Sequence, residues 1–251
     1  MIEIFILSII QGVAEFLPIS SSSHLILISD FLSFENQKLS IDVSLHIGSF
    51  IAVIFYFYKD IANFYSNRFL FFNVLIASIP VMITGFFLVE TNLIEKMRNI
   101  ETIAWTTIIF GILLYLSDKF KLEKSVNKLN LNSAVFIGIF QIFSLIPGVS
   151  RSGIAITAAR LLKFKRVDAA KISFLLSIPI LGAVSIFGVK NIIFSQSYIF
   201  TKTNLLAILL AFIFSYITIK YFLKFIKRFN LSFFVIYRII LGSILLAIIY
   251  L

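Results

Sequence analysis

The stretch Gln11-Gly-Val-Ala-Glu15-Phe-Leu-Pro18-Ile-Ser20-Ser21-Ser22-Ser23-His24 decides how this chain folds. It lies within an apolar run from Met1 to about Ile28, yet a proline and four serines break that run near its centre. Neither half reaches the ~20 residues a helix needs to cross ~30 Å of hydrocarbon. Non-helical backbone at membrane depth survives only where protein or a water-filled cavity lines it. The run therefore predicts a re-entrant helix hairpin, not a crossing. A second run, Asn132 to about Leu162, breaks at Pro147-Gly148-Val149-Ser150-Arg151-Ser152-Gly153 and predicts another.

Around these two segments the composition is that of a membrane protein. Of 251 residues, 60% are hydrophobic and only 14% charged, and there are 30 phenylalanines, a balance no ordinary water-soluble domain has. Six apolar runs predict full crossings: Ile41 to Tyr58, Phe69 to Val89, Thr102 to Ser117, Ile172 to Val189, Asn204 to Tyr221 and Leu231 to Leu251. Pro80 and Pro179 fall inside two of them, where kinks are expected. Cysteine is absent, which excludes disulfides, thiolate nucleophiles and cysteine metal sites. A signal peptide at Met1 to Leu17 is disfavoured, since it would lack a basic leader and would carry Glu3, Gln11 and Glu15.

Each crossing changes face and each hairpin does not, which sorts the cations. One face receives Lys59, Arg68, Lys119, Lys121, Lys124, Lys128, Arg160, Lys163, Lys165, Arg166, Lys171, Lys220, Lys224, Lys227 and Arg228. The other receives Lys38, Lys96, Arg98, Lys190 and Lys202. The first face is cytoplasmic by the positive-inside rule, so both termini lie outside and the first hairpin opens outward. This sorting also accounts for the net charge of +10 without nucleic acid. Each hairpin is followed by three crossings, starting from opposite faces. The fold expected is an all-α polytopic membrane protein, a single domain over 1–251. Six transmembrane helices and two re-entrant hairpins form an inverted-topology repeat: about 1–117 with hairpin 1–28, and about 132–251 with hairpin 132–162. In such repeats the site lies where the interrupted segments meet.

Several residues there could carry chemistry. Gln11 and Glu15 share one face of the first half-helix, and a carboxylate at membrane depth needs a partner or a wet cavity. His24 beside Ser20, Ser21, Ser22 and Ser23 suits acid–base work or nucleophile activation. Arg151 needs an anion. Its guanidinium can fork onto phosphate, Ser150 and Ser152 add donors, and Gly148 and Gly153 let backbone N–H groups approach. The structural alternative is an Arg151–Glu15 salt bridge between hairpins. Asp42 and His46 suggest a structural pair, and Arg238, inside the last crossing, an ordinary buried ion pair. No Walker loop is present, so ATP is not the expected fuel.

The Gln11–His24 and Pro147–Gly153 stretches resemble the two signature motifs of the undecaprenyl pyrophosphate phosphatase family, the bacitracin-resistance type. Asp42-Val-Ser-Leu-His46-Ile-Gly-Ser, Ala159-Arg160-Leu-Leu and Ser173-Phe-Leu-Leu-Ser-Ile-Pro179 extend the likeness over nearly the whole chain. The resemblance implies a multi-pass bacterial inner-membrane enzyme, its active site open to the outer face. It would hydrolyse a polyprenyl diphosphate left by cell-wall synthesis to the monophosphate carrier and inorganic phosphate, and in excess oppose bacitracin. It implies Glu15, Ser21, His24 and Arg151 as catalytic residues. Gln11, Ser20, Gly148, Ser150, Ser152 and Gly153 would lie around the substrate, and a magnesium or calcium ion would sit on Glu15. Gln11 stands where many members carry glutamate, leaving one carboxylate fewer for metal, and Ser22-Ser23 stand where Thr-Gly is common. The nucleophile is left open between Ser21, His24 and a water, and a homodimer is left open as well. A transporter or flippase of the lipid carrier is the rival reading, as broken helices in a repeat suit it equally. The hydroxyl run with histidine favours an enzyme.

Overall fold

The computed structural model describes residues 1–32, 39–91, 93–194 and 202–251. Lys38, one of the cations assigned to the outer face, lies outside them. Among the described residues there are twelve α-helices: α1 Ile2–Ala14, α2 Ser21–Leu32, α3 Leu39–Tyr56, α4 Tyr58–Ala62, α5 Arg68–Glu90, α6 Leu93–Met97, α7 Ile100–Asp118, α8 Leu131–Ile142, α9 Arg151–Leu161, α10 Arg166–Phe194, α11 Lys202–Phe225 and α12 Ser232–Tyr250. Five of them, α5, α7, α10, α11 and α12, are long and apolar enough to cross a membrane. The chain is an all-α polytopic membrane protein. Both interrupted segments break where the proline and hydroxyl residues demand: α1 stops at Ala14 and α2 starts at Ser21, while α8 stops at Ile142 and α9 starts at Arg151. The helices α5 and α10 run on through Pro80 and Pro179.

Local signals explain the helix starts. Asn67, Asn99 and Asn130 each accept a hydrogen bond from the backbone N–H three residues on, capping α5, α7 and α8. Close packing then relies on small residues, as expected where lipid gives helices no hydrophobic reason to associate. α1 lies on α11 with Gly12 against Phe214 and Ser215, and α8 lies on α5 with Gly138 against the Ala77 backbone. α3 packs on α10 and α11, and α7 on α12.

Polar contacts tie helix ends and loops together away from the interrupted segments. At one end Asp118 accepts from Arg160, Arg166 and the Leu231 N–H, Lys171 pairs with Asp60 at 2.5 Å, and Lys124 bridges to Phe164. At the other, Tyr250 donates to Glu101 across 2.6 Å, and Asn204 at the start of α11 donates to the Ser40 carbonyl and the Ser44 hydroxyl. Arg151 and Arg238 belong to neither end and lie with the hairpin tips.

Candidate active site

Each tip is closed by a serine in a conformation serine avoids. Ser20 has φ 75° and Ser150 φ 72°, and each directly precedes a half-helix. A non-glycine residue in this left-handed region costs about 1 to 3 kcal/mol unless its surroundings enforce it. Local bonds do so here. Ser150 Oγ accepts from the Gly153 N–H at 3.1 Å and lies 3.1 Å from Ser152 Oγ. Ser20 Oγ lies 3.0 Å from Ser23 Oγ and 3.3 Å from Ser22 Oγ. Gly148, at φ 95°, is pressed so closely on Thr106 and the Ile103 carbonyl that no Cβ would fit.

The two helices that begin at the tips, α2 and α9, present their first residues to one carboxylate. Glu15 Oε1 accepts from Arg151 Nη2 at 2.6 Å, and Glu15 Oε2 accepts from Ser21 Oγ at 2.6 Å and from Gln11 Nε2 at 3.1 Å. Arg151 also reaches the Ser173 carbonyl of α10 at 3.4 Å. The side chains of Arg151 and Glu15 are only 12% and 6% exposed, so the pair is largely desolvated. Ser152 Oγ donates to the Leu17 carbonyl at 2.6 Å, stitching tip to tip.

The histidine lies one turn further along α2. His24 Nδ1 is 2.6 Å from the Ser20 carbonyl and Nε2 is 2.5 Å from Tyr237 Oη on α12. Both ring nitrogens are therefore engaged, and Ser21 donates to Glu15 instead. His46 Nδ1 meets the Asp42 backbone carbonyl at 2.8 Å, a bond within the turn of α3.

Arg238 differs from the expectation of an ordinary ion pair. It is fully buried, and among the described residues it pairs with no carboxylate. Its guanidinium donates to four backbone carbonyls: Thr107 from Nε at 3.1 Å, Pro18 and Val149 from Nη1 at 3.2 and 3.1 Å, and Gly148 from Nη2 at 2.9 Å. The Pro147 carbonyl goes to Thr106 Oγ1 at 2.6 Å. The broken backbone at the two tips leaves the Pro18, Gly148 and Val149 carbonyls outside the helices, and a charged five-donor fork satisfies all three at once.

The structure thus brings together Gln11, Glu15, Ser21 and Arg151 directly. Ser20, Ser150 and Ser152 lie at the tips, and His24 is held on the adjoining turn. Gly148 and Gly153 shape the second tip, the Gly148 carbonyl being taken by Arg238 and the Gly153 N–H by Ser150. The sequence reading did not find Tyr237 or the clamp made by Thr106 and Arg238. The one available signal was a lone cation inside an apolar crossing.

Residues 4–244 match the model of a family described as bacitracin resistance protein BacA. Over 251 residues the chain is 50% identical to a Pelagibacter ubique protein named undecaprenyl-diphosphatase, covering 99% of this chain and 98% of that one. It is 42% identical over 260 residues to a protein of that name from Campylobacter curvus, covering 98% and 97%. It is 39% identical over 261 residues to one from Jannaschia sp., covering 98% of each.

Proposed function

The chain belongs to the bacitracin resistance protein BacA family, and from that premise we propose how its tip residues hydrolyse undecaprenyl diphosphate to undecaprenyl phosphate and inorganic phosphate. One observation carries the assignment of residues. The Glu15 carboxylate lies between Ser21 and Arg151, the first residues of two half-helices, 2.6 Å from a group of each. A helix N-terminus attracts anions through its open N–H groups and its dipole, and two converge here. Glu15 holds the place of an anion that the substrate's terminal phosphate takes.

Arg151 then forks onto that phosphate, with the first-turn N–H groups of α9 beside it. Charge stabilisation of this kind dominates phosphoryl transfer. Ser21 Oγ attacks the terminal phosphorus, its proton passes to Glu15, and the bond to the bridging oxygen breaks, releasing undecaprenyl phosphate. Water next attacks the phosphoserine and gives a proton to His24 Nε2. The bond from phosphorus to Ser21 Oγ breaks, and Glu15 returns the proton to Ser21. The short Ser21–Glu15 bond favours this order over attack by the imidazole.

A divalent cation would fit beside the substrate. Gln11 Oε1 is buried without a partner, four residues from Glu15 on one helical face, and among the described residues no three His, Cys, Asp or Glu side chains converge. One carboxylate and one amide oxygen would suit a hard cation, which prefers oxygen ligands. Gln11 and Glu15 would hold it, and the ion would offset charge developing on the diphosphate.

Six crossings and two re-entrant hairpins in an inverted repeat, with the site open to the outer face of the inner membrane and both termini outside, complete the proposal. Its support is the paired packing of α1 on α11 and α8 on α5, and the matched Ser20 and Ser150. The decisive experiment measures orthophosphate released from undecaprenyl diphosphate by the purified protein in detergent, with and without chelator. Release that falls when the cation is removed is expected. A protein that binds the lipid but releases no phosphate would be a carrier, and the reading fails.

A further inference from the structure

His24 is held from two sides, and the two contacts differ in kind. A backbone carbonyl can only accept, so the 2.6 Å contact to the Ser20 oxygen puts a proton on Nδ1. In the neutral ring Nε2 then carries the lone pair and accepts from the Tyr237 hydroxyl at 2.5 Å. The carbonyl that fixes the ring belongs to the left-handed Ser20, so tip geometry and imidazole orientation are one feature. The hydroxyl sits next in sequence to Arg238, whose guanidinium grips Pro18, Gly148 and Val149. One turn of α12 thus sets both the tips and the base. Phenolic and imidazole rings lie 5.7 Å apart at 14°, a stacked arrangement that restrains rotation as well.

We propose that Tyr237 is a positioning residue of the hydrolysis: its hydroxyl keeps His24 Nε2 in the unprotonated form and aimed at the place where the attacking water is received. Tyr237 makes its contacts with the His24 ring. It acts through His24, occupying the acceptor nitrogen until the water displaces it in the second half of the reaction. The assignment rests on the reading of His24 as the base for that water.

The test exploits the fact that the chain has only two histidines. Diethyl pyrocarbonate modifies unprotonated imidazole nitrogens, and peptide mass mapping follows His24 and His46 separately in one sample. In Tyr237→Phe the ring is kept and the hydroxyl removed. His24 should react several-fold faster than in the unmodified protein, while His46, held on α3 by the Asp42 carbonyl, reacts at an unchanged rate and reports an intact fold. Steady-state orthophosphate release should lose roughly tenfold to a hundredfold in kcat with little change in KM, the size expected for misplacing an acid–base group. Rapid quench should show the phosphoserine accumulating, because its breakdown and not its formation is slowed.

Equal His24 reactivity in the two proteins overturns the assignment, and so does unchanged kcat. A rise in both histidines' rates points to general loosening and overturns it too. If the unmodified protein itself releases no orthophosphate from undecaprenyl diphosphate, the hydrolase reading fails first. If it is active but Tyr237→Phe behaves identically, only the role of Tyr237 fails.

Discussion

The two hairpins share a tip and differ in everything around it. Both start their second half-helix after a serine near φ 70°, yet α9 is enclosed and α2 is not. Every side chain from Ser152 to Arg160 is buried among α7, α8 and α10, whereas α2 exposes Ser22 and its last three residues. Sequence follows packing: between its arginines α9 reads Ser152-Gly-Ile-Ala-Ile-Thr-Ala-Ala159, mostly residues small enough to be surrounded, while α2 opens on three serines and His24 and carries an exposed Asp30 after its Leu25–Ile28 run. The second hairpin is thus a fixed clamp that presents Arg151. The first is a more accessible arm that presents Ser21 and His24. In both, the strained tip turns the start of a helix toward Glu15.

That division can be broken from either side. The largest effect is expected at Ser21. Ser21→Ala should lower phosphate release by on the order of 10⁴-fold and abolish any acid-stable phosphoenzyme in a rapid-quench experiment. Retention of substantial activity would pass the attack from Ser21 to His24 or to a water. Arg151→Ala should follow, with a loss of about 10³-fold and unchanged expression and extraction. Arg151→Lys should be nearly as poor, because a point charge lacks the fork. Wild-type-like release by either variant would reduce the Arg151–Glu15 pair to a structural bridge.

Smaller effects separate rigidity from chemistry. Gly148→Ala places a Cβ on Thr106 at a left-handed position, so a loss of about 2 to 3 kcal/mol is expected, read as a lower thermal midpoint in detergent. Were the second hairpin as loose as the first, the midpoint would barely move. Ser150→Gly should have the smallest effect, a gain of about 0.5 to 1 kcal/mol. Relief of the strained φ, about 1 to 3 kcal/mol, outweighs the few tenths lost with the cap and the roughly 0.4 to 1 kcal/mol cost of glycine's greater freedom in the unfolded chain. A drop in stability there would show that the serine bonds outweigh the strain.

Much of this was legible in the sequence because the bilayer makes length and polarity unambiguous. Pro18 with four serines, and Pro147 with Gly148 and Arg151, could not be straight crossings, and the helices stop at those places. Glu15 and Arg151, costly where they are, found each other as charge demands. Partners that meet through backbone atoms were not legible. Arg238 satisfies carbonyls, which leave no residue-type signature, so it looked like half of an ion pair. Tyr237, one of nine tyrosines, gave no sign of His24, 213 positions away. The helix ends also outran their apolar runs: α10 begins at Arg166, six residues before Ile172, because Asp118 draws Arg166 into a polar knot with Arg160.

The grip of Arg238 on both tips has a bearing on biogenesis. α12 follows every other described helix in the chain, so it leaves the ribosome after both hairpins have been made. Until it inserts, the carbonyls of Pro18, Gly148 and Val149 lack their donor and His24 lacks Tyr237. A nascent chain stalled before that point holds both signature segments without the donors that tie them together, and it gains them only once α12 has inserted.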